Sequence, residues 1–397
     1  MSTGSADRRR PSETKNVLLL VDSLGLSGKT KSLVDLAIHM DRKTHVPVVA
    51  SLSAAESPLA ERLRTAGVRV ELLGIRDGFR PDGLLRLMRL IRNTKADVVH
   101  CFNARPILLG GVAATMSGRP VLGSLSAFSC QVPDREYSYL PQPLATTNRR
   151  QIYRNRVACR LVKYLVAVSR PLGVRFFQYN GLPEQKLRTV PYGIDLAPFS
   201  QLSGERICEY RRALGVREGS LLIGSVGRLV EEKDYPTQLR AFAIALRQVP
   251  NLHMAIAGDG PLRASLEDLA RTLEISDRVT FAGHSDAVAL FLRALDIFVL
   301  ASKFETFGVA LLEAKAAGVA VIATSIHEIP EILSQGRSGR LVPAQDPEAM
   351  ADAFVSLALD SSLRRTLGEH AHEEAVEKHS LEAMVRGYQQ LYSEARH

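Results

Sequence analysis

The feature that most constrains the fold of this chain is a regular alternation of short apolar runs with longer amphipathic segments. The runs are rich in Val, Ile and Leu, as strands buried on both faces of a parallel sheet are, and the segments between them have the length of crossover helices. The strands predicted in this way cover residues 17–21, 46–50, 68–72, 98–101, 121–124 and 165–168, followed by 221–226, 253–257, 279–281, 297–300 and 319–323. The alternation therefore predicts an α/β protein with parallel sheets covered by helices.

The alternation stops at Val190-Pro191-Tyr192-Gly193-Ile194-Asp195 and then begins again, so the second half repeats the first. The chain has 397 residues, whereas a single hydrophobic core usually stops growing at about 250–300 residues. We predict a disordered polar tail at residues 1–15, a first domain at 16–194, a second domain at 195–378 and a closing helix at 379–397. Two doubly wound domains facing one cleft would offer the carboxyl ends of their strands to a ligand.

Composition and cysteine spacing predict a cytoplasmic protein. Apolar residues make up 46% of the chain and charged residues 23%, as in an average soluble globular protein. No apolar run approaches the roughly 18 residues that span a bilayer, and the tail carries arginines without the apolar core of a secretory signal. The cysteines form no Cys-x-x-Cys pair, which is typical of core thiols in a reducing compartment. They are Cys101, Cys130, Cys159 and Cys208.

Charge is distributed unevenly along the chain. Residues 1–200 contain 30 Lys and Arg against 15 Asp and Glu, whereas residues 201–397 contain 21 against 27. No acidic residue occurs from 137 to 183, and this basic stretch is expected to attract phosphates or an anionic membrane surface. Its candidate membrane or acceptor contacts are Arg149, Arg150, Arg154 and Arg156. Solvated helix faces would carry the same charges, and no nucleic-acid-binding motif accompanies them.

A glycine loop, Gly28-Lys29-Thr30, follows the first predicted strand and precedes a helix. It resembles the end of a phosphate-binding P-loop, but that loop needs a glycine or alanine five positions earlier, where Ser23 stands. The segment therefore favours a glycine loop with Gly28 at a helix N-terminus over nucleotide hydrolysis. A plain tight turn also remains open.

Two loops of the second half carry charged residues suited to binding a phosphorylated sugar. Gly227-Arg228-Leu229 follows the strand at 221–226, and Lys233 comes five residues after the arginine. A guanidinium binds two oxygens at once and an ammonium adds a mobile point charge, so the pair could neutralise a diphosphate. On their own, such residues are more often solvated than functional.

The second loop follows the strand at 297–300. Glu305 is expected on the loop and Glu313 inside the following helix, where carboxylates could accept hydrogen bonds from sugar or ribose hydroxyls. The amides of Phe307, Gly308 and Val309 would form a helix N-terminus directed at a phosphate. A pair of glutamates eight residues apart is common by chance and gains meaning only in this context.

The second half resembles the donor-binding domain of the family 4 retaining glycosyltransferases, which have the GT-B fold. The matching segments are Gly227-Arg228-Leu229 with Lys233, then 257–262, 279–284, 302–313, Gly318, 323–324, 330–331, Gly339 and 341–343. Residues 167–169 and 190–195 resemble the same family, so the likeness covers roughly residues 16 to 395. As a composite in this order, it is specific.

The resemblance implies a nucleoside diphosphate sugar donor in the second domain and an acceptor in the first. Arg228 and Lys233 would hold the diphosphate, Glu313 the ribose and Glu305 the transferred sugar, with Arg228, Lys233 and Glu305 in the catalytic set. The other donor contacts would be Gly28, Gly227, Phe307, Gly308, Val309 and His327.

The reaction described for this family needs no metal, cofactor or protein nucleophile, because the leaving phosphate takes the acceptor proton. The sequence contains no Asp-x-Asp metal motif. The resemblance therefore implies metal-independent transfer of a hexosyl unit. The expected acceptor is lipid-linked or a polysaccharide, at the cytoplasmic face of the membrane.

The chain departs from the family pattern at three places. His327-Glu328 stand where two glycines are frequent, Ser126 where a histidine is common, and Tyr192 where asparagine is common. These departures leave the donor open. They also leave open a non-catalytic nucleotide-sugar-binding protein and, from Gly28-Lys29-Thr30 alone, a P-loop NTPase.

Overall fold

The computed structural model describes residues 14–25, 28–75, 80–124, 149–305 and 307–395. The chain divides into two compact units. Unit 1 comprises Met1–Gly193 and Met384–His397, and unit 2 comprises Ile194–Ala383. Lys15, the last residue of the predicted tail, begins the first strand, and residues 1–13 lie outside the described residues.

Unit 1 is built on a parallel sheet of seven described strands. The strands are β1 Lys15–Val21, β2 His45–Ser51, β3 Arg69–Leu72, β4 Val98–Phe102, β5 Val121–Ser124, β6 Tyr164–Ala167 and β7 Leu187–Thr189. Their order across the sheet is β3-β2-β1-β4-β5-β6-β7, and every pair is parallel. The central strand β1 is buried from Val17 to Val21 because it has a neighbour on each side and helices on both faces.

Helices connect these strands. They are α1 Gly28–His39, α2 Pro58–Thr65, α3 Pro81–Asn93, α4 Ala104–Met116, α5 Arg149–Leu161 and α6 Arg170–Asn180. Ser57 and Ser169 accept hydrogen bonds from the amides of Ala60 and Leu172, so α2 and α6 begin with side-chain caps.

Unit 2 repeats the arrangement with six described strands. The strands are β8 Leu221–Val226, β9 Leu252–Ala257, β10 Val279–Gly283, β11 Ile297–Leu300, β12 Ala320–Thr324 and β13 Arg340–Val342. Their order is β10-β9-β8-β11-β12-β13, again all parallel. The chain order thus reverses beside β8, as it does beside β1 in unit 1.

The described helices of unit 2 are α7 Ala197–Ser200, α8 Gly204–Ala213, α9 Tyr235–Gln248, α10 Arg263–Thr272, α11 Val288–Ala294, α12 Val309–Ala317, α13 Ile329–Ile332, α14 Pro347–Leu359 and α15 Ser361–Lys378. A short 3-10 turn, Glu231–Lys233, lies between β8 and α9. The last helix, α16 Leu381–Glu394, begins in unit 2 and continues into unit 1.

A buried polar network holds α16 on the sheet of unit 1. His100 of β4 lies with Nδ1 2.7 Å from the hydroxyl of Tyr392 and Nε2 2.8 Å from Oγ of Ser124. Ser124 is also 3.3 Å from the hydroxyl of Tyr388. The His100 ring is fully buried, and burial lowers its pKa to about 3, so it stays neutral in the folded protein.

The α/β class and the parallel sheets predicted from the sequence are confirmed. Each predicted strand overlaps an observed one, whereas β7 and β13 were not predicted. Both are three-residue strands at the sheet edge, and Arg188, Thr189 and Arg340 leave them without an apolar run.

The prediction that all cysteines are core thiols is wrong for Cys208. Cys101 and Cys159 are buried, but Cys208 is exposed. It lies on α8, which buries none of its residues. Cys130 lies outside the described residues.

Candidate functional site

The switch in chain order between β8 and β11 marks the usual ligand-binding position of a doubly wound sheet, at the carboxyl ends of the strands. The loop after β8 carries Gly227, Arg228 and Lys233, and the loop after β11 carries Glu305. Thus two loops that the sequence analysis treated separately meet at one edge of unit 2. Thr306, next to Glu305, lies outside the described residues.

Two ion pairs join these loops. Lys233 Nζ pairs with Glu305 Oε2, and their side chains are only 23% and 11% exposed. Lys303 Nζ lies 3.5 Å from Asp234 Oδ1, and the Asp234 side chain is 3% exposed. Each loop therefore supplies one cation and one carboxylate, and we refer to Lys233–Glu305 and Asp234–Lys303 as the crossed ion pairs.

Backbone hydrogen bonds support the same junction. The amide of Lys303 donates to the carbonyl of Glu232 at 2.9 Å, and the amide of Phe304 donates to the same carbonyl at 3.4 Å. The two loops are thus held together through main chain as well as side chains.

Glycines allow a third loop, after β9, to approach the loop after β8. A Cβ on Gly258 would lie 1.9 Å from the carbonyl oxygen of Gly227, and one on Gly260 would lie 2.6 Å from that of Leu229. The space is occupied by backbone hydrogen bonds: the amide of Gly227 donates to Ala257 at 3.0 Å and that of Leu229 to Asp259 at 2.9 Å. Any side chain at Gly258 or Gly260 would push the loops apart.

Tyr235, the first residue of α9, lies beneath this loop. It is 2% exposed, and its hydroxyl would be 3.2 Å from a Cβ placed on Gly227. Burial raises the pKa of the Tyr235 hydroxyl, and the charge of Glu305 raises it further, so the phenol remains neutral. Tyr235 is a site-lining residue that the sequence analysis did not identify.

Arg228 differs from Lys233 in being exposed. Within the part of the chain that the structure describes, its guanidinium makes no hydrogen bond or ion pair with another side chain. Lys233 is already neutralised by Glu305. Arg228 is therefore the cation of the loop after β8 that can bind an added anion without first losing a protein partner.

The N-terminus of α12 adjoins Glu305. Gly308 has φ of +75° and ψ of 59° and directly precedes the helix, while Phe307 is buried and Val309 is 43% exposed. The left-handed conformation at this position favours glycine. A Cβ added to Gly308 would lie 3.4 Å from Cγ of Glu305. Glu313 lies about one turn into the helix and is half-buried.

A buried network fixes α12 from behind. Nζ of Lys315, which is fully buried, donates to Glu374 Oε2 at 2.9 Å and to the carbonyl of Ile332. Glu374 also accepts from Ser338 Oγ at 2.7 Å and from Ser334. Burial raises the pKa of Glu374, but the hydrogen bonds from Ser334, Ser338 and Lys315 outweigh it, so its pKa lies well below the ordinary value.

His327 lies beside the loop after β11. Its ring is 5.1 Å from the ring of Phe304, in an edge-on arrangement at 70°. The backbone of His327 has a φ of +47°, the left-handed conformation that glycine adopts most easily. His327 therefore stands, in place of the glycine frequent in the family, at a position whose backbone conformation favours glycine.

The remaining predicted residues belong to unit 1. Gly28 is the first residue of α1, and residues 26–27 before it lie outside the described residues. Arg154 and Arg156 are exposed on α5. Arg149 and Arg150 begin the same helix, but their side chains, like residue Ser126, lie outside the described part.

Unit 1 has its own switch in chain order, between β1 and β4, and Gly28 follows the first of these strands. Arg105 Nη1 lies 3.4 Å from Asp22 Oδ1, and Arg105 Nη2 donates to the carbonyl of Ile75 at 2.9 Å. Asn103, just before α4, has φ of 79° and ψ of 167°, a conformation that essentially only glycine adopts without strain.

Among the described residues, no group of three or more His, Cys, Asp or Glu side chains is arranged to hold a metal ion. No helix in the described part of the chain is both long enough and apolar enough to span a bilayer.

Comparison with solved structures defines the class. The structure of Anabaena HepE in complex with UDP and glucose aligns with a TM-score of 0.75 and 19% sequence identity, over 96% of this chain and 100% of that chain. The two Rossmann-like units therefore have the GT-B fold.

Comparison of sequences defines the family. A model described as glycosyltransferase family 4 matches residues 26–198, and one described as glycosyl transferases group 1 matches residues 207–374. This chain belongs to the family 4 glycosyltransferases, as the sequence resemblance predicted.

Two curated relatives each match about half of the chain. The N-acetyl-alpha-D-glucosaminyl L-malate synthase of Bacillus anthracis is 31% identical over 53% of this chain and 54% of its own length. The lipopolysaccharide core biosynthesis glycosyltransferase LpsE of Rhizobium meliloti is 34% identical over 48% of this chain and 54% of its own length. The chain thus spans about half the length of these relatives.

Proposed function

We propose that this chain is a retaining glycosyltransferase that moves a hexosyl unit from a nucleoside diphosphate sugar to a lipid-linked or polysaccharide acceptor at the cytoplasmic membrane face. The observation that carries the proposal is the pairing of Lys233 with Glu305 at the carboxyl ends of β8 and β11, with Arg228 exposed on the same loop as Lys233. Cations for a diphosphate and a carboxylate for a sugar then lie at the position where such sheets bind ligands.

Arg228 would make the first contact with the diphosphate. Its guanidinium is exposed, and such a group can bind two phosphate oxygens at once. Lys233 would add a second positive charge, because its ammonium could contact the diphosphate while it remains paired with Glu305. Together they would stabilise the negative charge that develops on the leaving diphosphate.

Glu305 and Glu313 would orient the two sugars of the donor. The ion pair with Lys233 keeps Glu305 in place as a hydrogen-bond acceptor for hydroxyls of the transferred hexose. Glu313, half-buried on α12, would accept from the ribose hydroxyls. Val309 and the first amides of α12 would face the phosphates, because the first amides of a helix lack partners within it.

In the proposed reaction, the acceptor hydroxyl oxygen forms a bond to the anomeric carbon as the bond from that carbon to the diphosphate oxygen breaks. The acceptor proton passes to the departing phosphate. No metal or other cofactor takes part, so turnover is expected to survive EDTA. Loss of activity with EDTA that manganese restores would contradict this part of the proposal.

The acceptor side of the proposal rests on α5 and on the relatives. Arg154, Arg156 and Arg160 are exposed on this helix, and Tyr153 beside them is 68% exposed. Basic side chains are attracted to an anionic leaflet, and a tyrosine suits the membrane–water interface. LpsE is described as an enzyme of lipopolysaccharide core biosynthesis, which makes a lipid-linked acceptor a reasonable choice here.

A panel of UDP-, GDP- and ADP-sugars, incubated with the purified protein and membrane extract, tests the function. The proposal expects release of one nucleoside diphosphate that depends on the extract and on donor identity. HepE was solved with UDP and glucose, so UDP-glucose is the first donor to try. No release with any donor, although extract is present, would contradict transfer.

A second candidate is a non-catalytic nucleotide-sugar-binding protein. It is favoured by His327, whose side chain stands at a left-handed backbone position beside Phe304. The same panel separates the two, because this candidate binds a nucleotide sugar without releasing nucleoside diphosphate.

A further inference from the structure

The second of the crossed ion pairs, Asp234–Lys303, has no role in the function proposed so far. Asp234 directly follows Lys233 and has φ of 48° and ψ of 45°, in the left-handed region. A residue with a side chain is destabilised in this conformation, whereas glycine adopts it freely. The backbone alone would favour glycine at this position, so the carboxylate is what Asp234 adds.

The Asp234 carboxylate is buried, and each of its oxygens has a partner. Oδ2 accepts a hydrogen bond from Thr237 Oγ1 at 2.9 Å, and Oδ1 lies 3.5 Å from Lys303 Nζ. Burying a carboxylate is unfavourable unless charge and hydrogen bonds compensate it. Lys303 supplies that charge from the opposite loop, while its own amide is bonded to Glu232.

Lys303 and Glu305 are separated by one residue on the loop after β11. If Asp234 lost its charge, Lys303 would be a second ammonium near Glu305 and would compete with Lys233 for it. The Asp234 carboxylate removes that competitor by binding it. It thereby preserves the pairing of Lys233 with Glu305.

We propose that Asp234 and Lys303 are positioning residues of the donor site, which lock the loops after β8 and β11 in the register that pairs Lys233 with Glu305. The inference rests on the proposed donor site. The residues act on bound nucleoside diphosphate through Lys233 and Glu305 and make no contact with it themselves.

The test compares the affinity of variants for UDP, GDP and ADP by calorimetry. Asp234→Asn removes the charge, keeps the shape and tolerates the left-handed backbone, and Lys303→Met removes the charge but keeps the aliphatic stem. We expect each to bind about tenfold more weakly and the double variant to bind no more weakly than the worse single one, because charges in direct contact are energetically coupled. Lys303→Arg is expected to retain most of the affinity.

The chain supplies a matched control at the opposite ends of the same strands. Arg211 Nη1 pairs with Asp296 Oδ2 at 3.0 Å, and the amide of Leu222 in β8 donates to the same carboxylate at 2.7 Å. Both side chains are about one-quarter exposed, at 24% and 27%. Asp296→Asn is expected to lower the melting temperature and leave nucleoside diphosphate affinity unchanged.

The outcomes separate this inference from the proposed function. If the wild-type protein binds none of the three nucleotides, the proposed donor site and this inference are both overturned. If the wild type binds but Asp234→Asn binds equally well, or if Asp296→Asn is equally impaired, only the positioning role is overturned. Weaker binding by Lys303→Met together with tighter binding by Asp234→Asn would mean that Lys303 contacts phosphate directly, which also overturns it.

Discussion

The two units share one strand order across six strands, but the loops at their switch points differ in chemistry. In unit 2, Lys233 and Lys303 face Glu305 and Asp234, and glycines pack the adjacent loops together. In unit 1, the described residues of the corresponding edge include the ion pair of Asp22 with Arg105, while exposed arginines lie on α5. The topology fixes where a site can form, and the loops decide what it can bind.

The largest expected effect concerns the buried ion pair of Lys315 with Glu374, which fixes α12 in unit 2. Lys315→Met should destabilise unit 2 by about 3 kcal/mol, because the buried Glu374 carboxylate loses its buried cation and keeps only the more exposed Arg337 and Lys378. Hydrogen exchange measured by mass spectrometry should show faster exchange in α12, α13 and α15 and unchanged protection in the sheet of unit 1.

The double variant Lys315→Met, Glu374→Leu provides the control. Replacing both members of a buried pair by apolar residues is often close to neutral, so we expect it to regain more than half of the lost stability. A double variant as unstable as Lys315→Met would show that the network acts through packing and not through charge.

The next effect separates the two cations of the loop after β8. Arg228→Ala should weaken nucleoside diphosphate binding by about 1–3 kcal/mol and leave the melting temperature unchanged, because this side chain is exposed. Lys233→Ala should weaken binding and also lower the melting temperature, since Glu305 loses its ion-pair partner. Calorimetry and thermal unfolding measure both quantities.

Arg247→Ala is the matched control for the arginine. Arg247 is exposed in the last turn of α9, on the same unit but away from the carboxyl ends of the strands. Its removal should change neither quantity. Wild-type affinity in Arg228→Ala would remove this residue from the donor site.

The buried strands could be predicted from the sequence because each of them is an apolar run. Strands without an apolar run were missed. The edge strands β7 and β13 are short and carry arginine, so they give no apolar signal. The same limit explains Cys208, since cysteine is usually buried but every residue of its helix α8 is exposed or half-buried.

Some residues of the candidate site could be named from the sequence, but their contacts could not. Arg228, Lys233 and Glu305 could be named from motifs, but Lys233 and Glu305 lie 72 positions apart. Their contact follows from β8 and β11 being neighbours in the sheet, which no local pattern reveals. The pairing of Lys303 with Asp234 depends on the same strand order, and the amide of Asn103 donates to the carbonyl of Ser124 in the neighbouring strand.

Acid should affect unit 1 more than unit 2, because burial lowers the pKa of His100 in unit 1 more strongly than that of His253 in unit 2. The pKa of His100 is about 3 in the folded protein against an ordinary value of 6.5, so below pH 6.5 protons bind preferentially to the unfolded chain. Unit 1 should therefore lose about 2 kcal/mol between pH 7 and pH 5. Glu374 in unit 2 has a lowered pKa, and its contribution is lost only at more acidic pH, below the ordinary value of 4.5.

Hydrogen exchange at pH 7 and pH 5, corrected for the intrinsic rate, measures this difference. The expected result is a selective loss of protection in β4, β5 and α16. His100→Gln should reduce the pH dependence, since it removes the titrating ring. Equal loss in both units, or the same pH dependence in His100→Gln, would contradict the assignment.

The smallest effect per residue is expected at the surface of unit 1. Each basic side chain near an anionic leaflet contributes about 1 kcal/mol, and the attraction fades within a Debye length. The protein should sediment with anionic vesicles at low salt and be released as salt rises, whereas neutral vesicles should bind little of it.

Changing Arg154 and Arg156 to serine should weaken vesicle binding about fivefold per residue, since about 1 kcal/mol corresponds to a factor of about five in affinity. Arg156 is the weaker test, because its Nε already donates to the carbonyl of Asn180 at 2.7 Å and part of any loss would be structural. Arg154→Ser therefore carries the prediction, and Arg247→Ser on unit 2 is its control. Two results would contradict the prediction: Arg154→Ser and Arg156→Ser both sediment like the wild type, or neutral vesicles bind the protein equally well. Either result would mean that the basic face of α5 serves a soluble anionic acceptor, and that the two units differ only in their ligands.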